Sequence, residues 1–303
     1  NMPFLWDRDT ETQTVLIDSV RGFADTVNVF LNHGMHKKIL GEFDETVMEK
    51  LAVTSKLLND RKMHLIVDLF DGNDIKRGIN LVWGWHGPKG PFGAEGEYGF
   101  YYKKEYQEAY LKLVEFVAGY RAQLPNLRGV VVGNELGQLW WPGGKEKYEE
   151  WLARCAPAVK NAFPDIMVLS GEADPRDSRH GIKGIDIKTI HFYEYTTDFM
   201  GLQQYLEQHP AYPQEFGVEE AVLGFKRHKN LDQAWLNFLD KIFDIGTSKG
   251  PASNRVNLNF IGRPAPWKTD EYDDKYNFMR KAMKMTTGRL DKYNEIRERA
   301  VGF

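Results

Sequence analysis

Glu135 and Glu215 are the residues of this sequence best suited to do chemistry as a pair. Glu135 follows the wholly apolar run Gly129–Val132 (GVVV) through Gly133 and Asn134, and Glu215 follows Gln214 in a short run that ends at Gly217. Two opposed carboxyl groups can divide acid and base work. One protonates a leaving oxygen while the other attacks carbon or activates water, which is what cleavage of a glycosidic bond requires. The acid member must hold its proton near neutrality, and an ionised partner close by raises its pKa. Glu219 and Glu220 rival Glu215, but they read as the acidic first turn of a helix.

Other polar and aromatic residues cluster near the same run ends. Asn134 stands beside Glu135, where a turn role competes with ligand binding. In Lys188–Tyr193 (KTIHFY), His191 and Tyr193 are two apart and so share one face of a strand, with Glu194 and Tyr195 just beyond. Trp83, Trp85 and His86 fall in a long aromatic segment from Asp71 to about Tyr101, Trp140 and Trp141 come soon after Glu135, and Trp267 follows the last β-rich run. The C–H faces of sugar rings stack on such aromatic planes. A small hydrophobic core under the loops is the competing use.

The elements that must position these groups alternate. Strands are expected at Thr26–Leu31, His64–Phe70, Gly129–Val132, Ile166–Ser170, Lys188–Tyr193, Gln214–Gly217 and Val256–Ile261. Helices are expected at Asp44–Asn59, Glu105–Leu124, Lys147–Phe163, Phe199–Gln208, Leu231–Phe243, Tyr276–Lys284 and Asp291–Val301. In the first of these helices Val47, Leu51, Val53 and Leu57–Leu58 set the apolar side. An eighth strand, first in order, is placed in Met2–Trp6, with Thr12–Gly22 as its helix. Strand and helix in strict alternation predict an α/β fold with a parallel sheet, here a (β/α)8 TIM barrel in a single domain over residues 1–303. In such barrels the catalytic groups stand at the C-terminal strand ends. Glu135 then ends the fourth strand and Glu215 the seventh.

Asn134–Glu135 after an apolar strand, His191–Phe192–Tyr193, and Glu215–Phe216–Gly217, in that order, resemble the retaining clan A glycoside hydrolases, especially the family 5 cellulases and mannanases. The similarity runs over roughly residues 12 to 285. The resemblance implies Glu135 as acid/base, Glu215 as nucleophile and Asn134 on the sugar 2-hydroxyl. It implies that Tyr193 bonds the nucleophile, that His191 lines the catalytic subsite and that Trp267 is a platform under the sugar. The sequence departs from the family pattern at two places. Asn28 stands on the second strand where an Arg is usual, and Phe70 ends the third strand where a His is common, with His86 as a possible substitute. The expected substrate-binding set is therefore Asn134, His191, Tyr193, Trp141, Trp85, His86, Trp267 and Asn28. Aromatics on several loops suggest an open cleft and endo action on a β-1,4-linked glucan or mannan. A catalytically impaired glycan-binding barrel is the alternative.

The remaining constellations are weaker. Asp68, Asp71, Asn73 and Asp74 resemble a calcium loop but lack its spacing and distal Glu, so they read as solvated strand-end and loop residues. Glu172 and Asp174 read as a subsite or an ion pair, and His33 and His36 lack a third metal ligand. Cys155, the only cysteine, sits in a helical stretch and reads as a buried apolar thiol. Neither a metal nor a cofactor is expected. A net charge of −3 over 303 residues argues against nucleic acid and acidic membranes as partners and leaves neutral ligands open, hence an oligo- or polysaccharide. No apolar run reaches membrane-spanning length. A monomer is expected. The chain starts at Asn1, which reads as a processed or trimmed form and suggests a secreted or extracytoplasmic location.

Overall fold

The computed structural model describes residues 5–21, 25–31, 35, 40–72, 100–137, 144–172, 178–179, 181–193, 204 and 211–217. Contacts divide the chain into two compact units, one of residues 2–188 and one of residues 189–303 with residue 1. The expected helices Leu231–Phe243, Tyr276–Lys284 and Asp291–Val301, the strand Val256–Ile261 and nearly all of Phe199–Gln208 lie outside the described residues.

The first unit holds a four-stranded parallel sheet in the order β1-β2-β3-β4: β1 Thr26–Phe30, β2 His64–Asp68, β3 Leu127–Val131 and β4 Met167–Leu169. Helices α1 (Thr10–Val20), α2 (Glu45–Asn59), α3 (Lys104–Gly119) and α4 (Gly144–Ala162) alternate with these strands. Parallel strands need such crossovers, and the helices cover the sheet, so the strands are apolar on both faces. Val27, Val29, Leu65, Val67, Val130 and Val168 line one face and are all buried. Ile66, Val131 and Leu169 cluster on the other, and Gly129 leaves the space that Ile66 and Leu169 fill. A register shift at Leu65/Ile66 makes room for Arg128, whose side chain is exposed while Leu127 and Gly129 stay buried.

Local signals set the helix limits. Asp9 caps α1 by accepting from the Thr12 backbone N–H at 2.8 Å, and Asp44 caps α2 by accepting from Thr46 N–H at 3.0 Å. In α2 the buried line is Val47, Leu51, Thr54 and Leu58; Val53, expected on that side, is exposed because helical rotation carries it away. The helix expected at Glu105–Leu124 ends at Gly119, and a 3-10 turn at Arg121–Gln123 brings the chain to Pro125.

The first expected strand needs correction. Leu5–Asp7 is a 3-10 turn, and residues 1–4 lie outside the described set. The Asp9 cap begins a helix too soon for an extended run to continue. Buried Trp6 meets β1 through its side chain instead, donating its indole N–H to the Phe30 carbonyl at 2.6 Å.

Strands β5 (Lys188–Tyr193) and β6 (Ala211–Gly217) are hydrogen-bonded neighbours. Just before β5, Ile187 bridges Leu169 of β4 in parallel, inside the first unit.

Candidate active site

The C-terminal ends of β2, β3 and β4 are laced together around Glu135. Past β2, Phe70 carbonyl accepts from Asn134 N–H at 2.6 Å, and Gly72 N–H donates to the Asn134 carbonyl at 2.6 Å. Asp71 and Asn134 thereby form a parallel bridge beyond the strands proper. Past β4, the Gly171 carbonyl accepts from Glu135 N–H at 2.7 Å. Glu135 takes a positive φ of 55°, a conformation that L-residues with long side chains rarely adopt. It is half-buried, between fully buried Asn134 and Leu136.

Two glycines allow this closeness. A Cβ on Gly72 would lie 2.6 Å from the Glu135 carbonyl oxygen. Gly171 has a φ of +72° and would drive a Cβ into the Gly133 carbonyl.

Two tyrosine hydroxyls hold the same segment from the helix side. Tyr110 of α3 donates to the Val132 carbonyl at 2.6 Å, and Tyr101 donates to the Leu136 carbonyl at 2.6 Å. Both belong to an aromatic core with Phe70, Phe100, Tyr148 and Trp151. Burial pushes the Tyr110 hydroxyl well above its ordinary pKa, so it remains a donor. Phe70 is fully buried and stacks on Phe100 at 4.9 Å between centroids, so the position where a His is common in family 5 belongs here to the packed core.

Polar side chains inside this region pair off. Asn134 donates from Nδ2 to Asp71 Oδ1 at 3.1 Å, and Asn28 donates from Nδ2 to Asp68 Oδ2 at 2.8 Å. All four are buried, which overturns the reading of Asp68 and Asp71 as solvated. The cause is a neighbour on the next strand: each carboxylate meets an asparagine amide and needs no water to satisfy that oxygen. Asn73 and Asp74 lie outside the described residues.

Beyond β4, Glu172 is fully buried and pairs with Lys188 Nζ at 3.1 Å. Lys188 also donates to the Ser178 carbonyl at 2.5 Å, and Ser178 Oγ donates to Glu172 Oε1. Of the two roles open to Glu172 from sequence, the ion pair is the one present. Lys188 and Ser178 were not legible as its partners, because neither stands near it in a recognisable motif. Asp174 lies outside the described residues.

In the second unit, His191 is buried on β5, and Tyr193 and Glu215 lie on the backbones of β5 and β6. The side chains of Tyr193 and Glu215 lie outside the described set, as do Trp83, Trp85, His86, Trp140, Trp141, Glu194, Tyr195, Glu219, Glu220, Trp267, His33 and His36 altogether. Among the described residues no group of three or more His, Cys, Asp or Glu is placed to hold a metal ion, and no helix is long and apolar enough to cross a membrane.

No protein-family model matches the sequence, and no curated protein matches it. Solved structures do match in fold. The endo-β-1,4-mannanase from Thermotoga petrophila superposes with a TM-score of 0.66 at 15% identity, over 93% of this chain and 75% of that one. The exo-β-1,4-mannosidase Op5Man5 from Opitutaceae bacterium strain TAV5 gives 0.64 at 18% identity, over 94% of this chain; the chain spans only 57% of Op5Man5. GH5_18 from Streptomyces cattleya, in complex with GlcNAc, gives 0.64 at 16% identity, over 92% of this chain and 76% of that one. The fold of this chain is the α/β, (β/α)8-barrel fold of the family 5 glycoside hydrolases.

Proposed function

We propose that this chain is a retaining β-glycoside hydrolase in which Glu135 is the acid/base and Glu215 the nucleophile. The observation that carries the reading is the placement of Glu135: half-buried, in left-handed backbone just past a parallel strand, clamped from both neighbouring strand ends. Conformations of this kind persist where the surroundings impose them, and they gather at functional sites. The position beyond the C-terminal end of a central strand is where barrel enzymes keep their chemistry. Asn134 beside it is buried, with its Nδ2 donating to Asp71 Oδ1 at 3.1 Å.

In the proposed reaction Glu135 gives its proton to the glycosidic oxygen as Glu215 attacks the anomeric carbon. The leaving sugar departs and a glycosyl ester forms on Glu215. Glu135, now a carboxylate, then takes a proton from water as that water attacks the anomeric carbon and breaks its bond to Glu215, releasing the Glu215 carboxylate and returning both groups to their starting state. Retention needs the two carboxyl groups about 5–5.5 Å apart. The substrate is an oligo- or polysaccharide, with β-1,4-linked mannan favoured over glucan because the fold matches include an endo-β-1,4-mannanase and an exo-β-1,4-mannosidase.

The test is incubation with an activated 2-deoxy-2-fluoro β-mannoside and its gluco counterpart, followed by intact mass and peptide mapping. One adduct on Glu215 is expected in wild type and none in Glu215→Gln. A wild-type chain that gains no mass from either reagent and cleaves no mannan or glucan sinks the reading.

A further inference from the structure

We propose that Tyr101 is a positioning residue for Glu135: its hydroxyl, bonded to the Leu136 carbonyl, keeps the acid/base in left-handed backbone and so within reach of the leaving oxygen. The inference rests on the function proposed above and extends it to a side chain buried behind the site.

Glu135 stands in a strained turn that is held from both directions. On the N-terminal side one peptide unit carries the constraint. Its carbonyl, from Asn134, accepts from Gly72 N–H at 2.6 Å, and its N–H, from Glu135, donates to the Gly171 carbonyl at 2.7 Å. Bringing φ of Glu135 from 55° to a negative value by turning that unit over would break both bonds. The C-terminal side has a different anchor. Leu136 is fully buried, and its carbonyl accepts from the Tyr101 hydroxyl at 2.6 Å. Among the described residues Tyr101 is the one hydrogen-bond partner of the Leu136 backbone.

Tyr101 is itself firmly seated. It is buried, and its ring packs on those of Phe100, Tyr148 and Trp151, with centroids 5.2, 6.3 and 6.2 Å away. Its own carbonyl accepts from Gln107 Nε2 at 2.8 Å, and Gln107 Oε1 accepts from the Arg154 guanidinium. A guanidinium only donates, so it fixes which end of the Gln107 amide faces Tyr101. The bonds thus run in one sense, from Arg154 of α4 through Gln107 of α3 to Tyr101 and the turn that carries Glu135.

Strain gives the hydroxyl a functional consequence. Left-handed backbone is unfavourable for a residue with a Cβ, so the turn is biased to relax. Without the Tyr101 hydroxyl the buried Leu136 carbonyl loses its donor, and the turn gains by shifting toward another. The easiest shift is the one that also relieves Glu135. Its carboxyl group then leaves the position from which it protonates the leaving oxygen, and a displacement of about 1 Å is enough to slow such a step strongly. Tyr110 makes a bond of the same length, 2.6 Å, but to Val132, whose N–H is also held by the Leu169 carbonyl at 2.9 Å. Removing that bond frees no strained residue.

Leaving-group dependence tests this, because a poor leaving group needs the proton of Glu135 and a good one does not. The assay measures kcat/KM, which covers the first, proton-assisted step, on phenyl and 2,4-dinitrophenyl β-mannosides and β-glucosides, with melting temperature for each variant. Glu135→Ala sets the full effect: a loss of about 100-fold or more on the phenyl glycosides and a far smaller one on the dinitrophenyl glycosides. Tyr101→Phe is expected to lose about 10- to 100-fold on the phenyl glycosides and less than about threefold on the dinitrophenyl ones. Tyr110→Phe should lower the melting temperature comparably and show no such selectivity. Gly133→Ala carries the test if Tyr101→Phe does not fold, since a Cβ there collides with Leu136 Cδ1 and displaces the same residue from its other side. The same selective loss is expected from it. Equal losses on both kinds of substrate, no loss from the folded variant, or selectivity as great in Tyr110→Phe overturns the inference, while a selective loss in Glu135→Ala leaves the proposed function standing. Absence of wild-type turnover on every substrate, or equal losses in Glu135→Ala, removes both.

Discussion

The backbone N–H of Glu135 donates to the carbonyl oxygen of Gly171 across 2.7 Å, so the end of β4 sets where the proposed acid stands. Gly171 can do this because it holds a φ of +72° against the Gly133 carbonyl. Gly171→Ala is expected to cost about 1–3 kcal/mol, from left-handed strain and the collision of its methyl group with that carbonyl. Urea denaturation measures the cost. A folded Gly171→Ala should also lose activity out of proportion to its stability, since any shift that relieves the collision moves Glu135. Unchanged stability would mean that the β4 end is free to adjust.

The buried Glu172–Lys188 pair carries a different expectation. Removing one charge strands the other away from water, so Glu172→Gln should destabilise by about 3 kcal/mol or more. Glu172→Gln combined with Lys188→Met should cost less than the sum of the single changes, because the stranded ammonium is gone. Chemical denaturation of the four proteins in the cycle checks this. Strict additivity would show that the two side chains do not act as a pair.

Tyr110→Phe removes one hydroxyl and leaves the Val132 carbonyl without that donor. A loss of about 1–2 kcal/mol is expected, with the aromatic packing against Trp151 retained. A change below about 0.3 kcal/mol, which lies within the range of ordinary surface substitutions, would show that water replaces the bond.

Cys155 supplies a pH prediction. Burial pushes its thiol up to about 12. A folded pKa raised above the unfolded one gives stability that is fully present below the unfolded value, about 8.5, and is lost as pH climbs toward the folded value. Wild type should therefore lose stability between those limits more steeply than Cys155→Ala. At pH 8 iodoacetamide should label the thiol only as fast as the chain opens, and rapid labelling of the folded protein would contradict the burial.

What the sequence disclosed follows from how one-dimensional each signal is. The apolar runs within β2 and β3, Leu65–Val67 and Gly129–Val131, are legible because burial on both faces of a parallel sheet favours consecutive apolar residues. The strand-end position of Glu135 is legible because a charged residue there interrupts such a pattern. Cys155 is legible as a buried thiol for the same kind of reason, its helical apolar setting. Asp68 and Asp71 misled because a carboxylate next to a loop looks solvated until the partner strand brings Asn28 and Asn134 alongside. The Glu172–Lys188 pair depends on a return of the chain that no local spacing encodes. The strand expected in Met2–Trp6 gives way at Leu5 and Trp6 for a simpler reason: a short apolar stretch has no periodicity with which to tell a strand from a turn.

The positive φ of Glu135 has a bearing on sequence choice. Glycine or asparagine would occupy that backbone with less strain, and selection for durability alone would drift toward them. On the proposed reading, a glutamate stands in so unwelcoming a conformation for the sake of its carboxyl group. Catalogues of stabilising substitutions for this chain should therefore rank position 135 near the top on persistence and at the bottom on turnover.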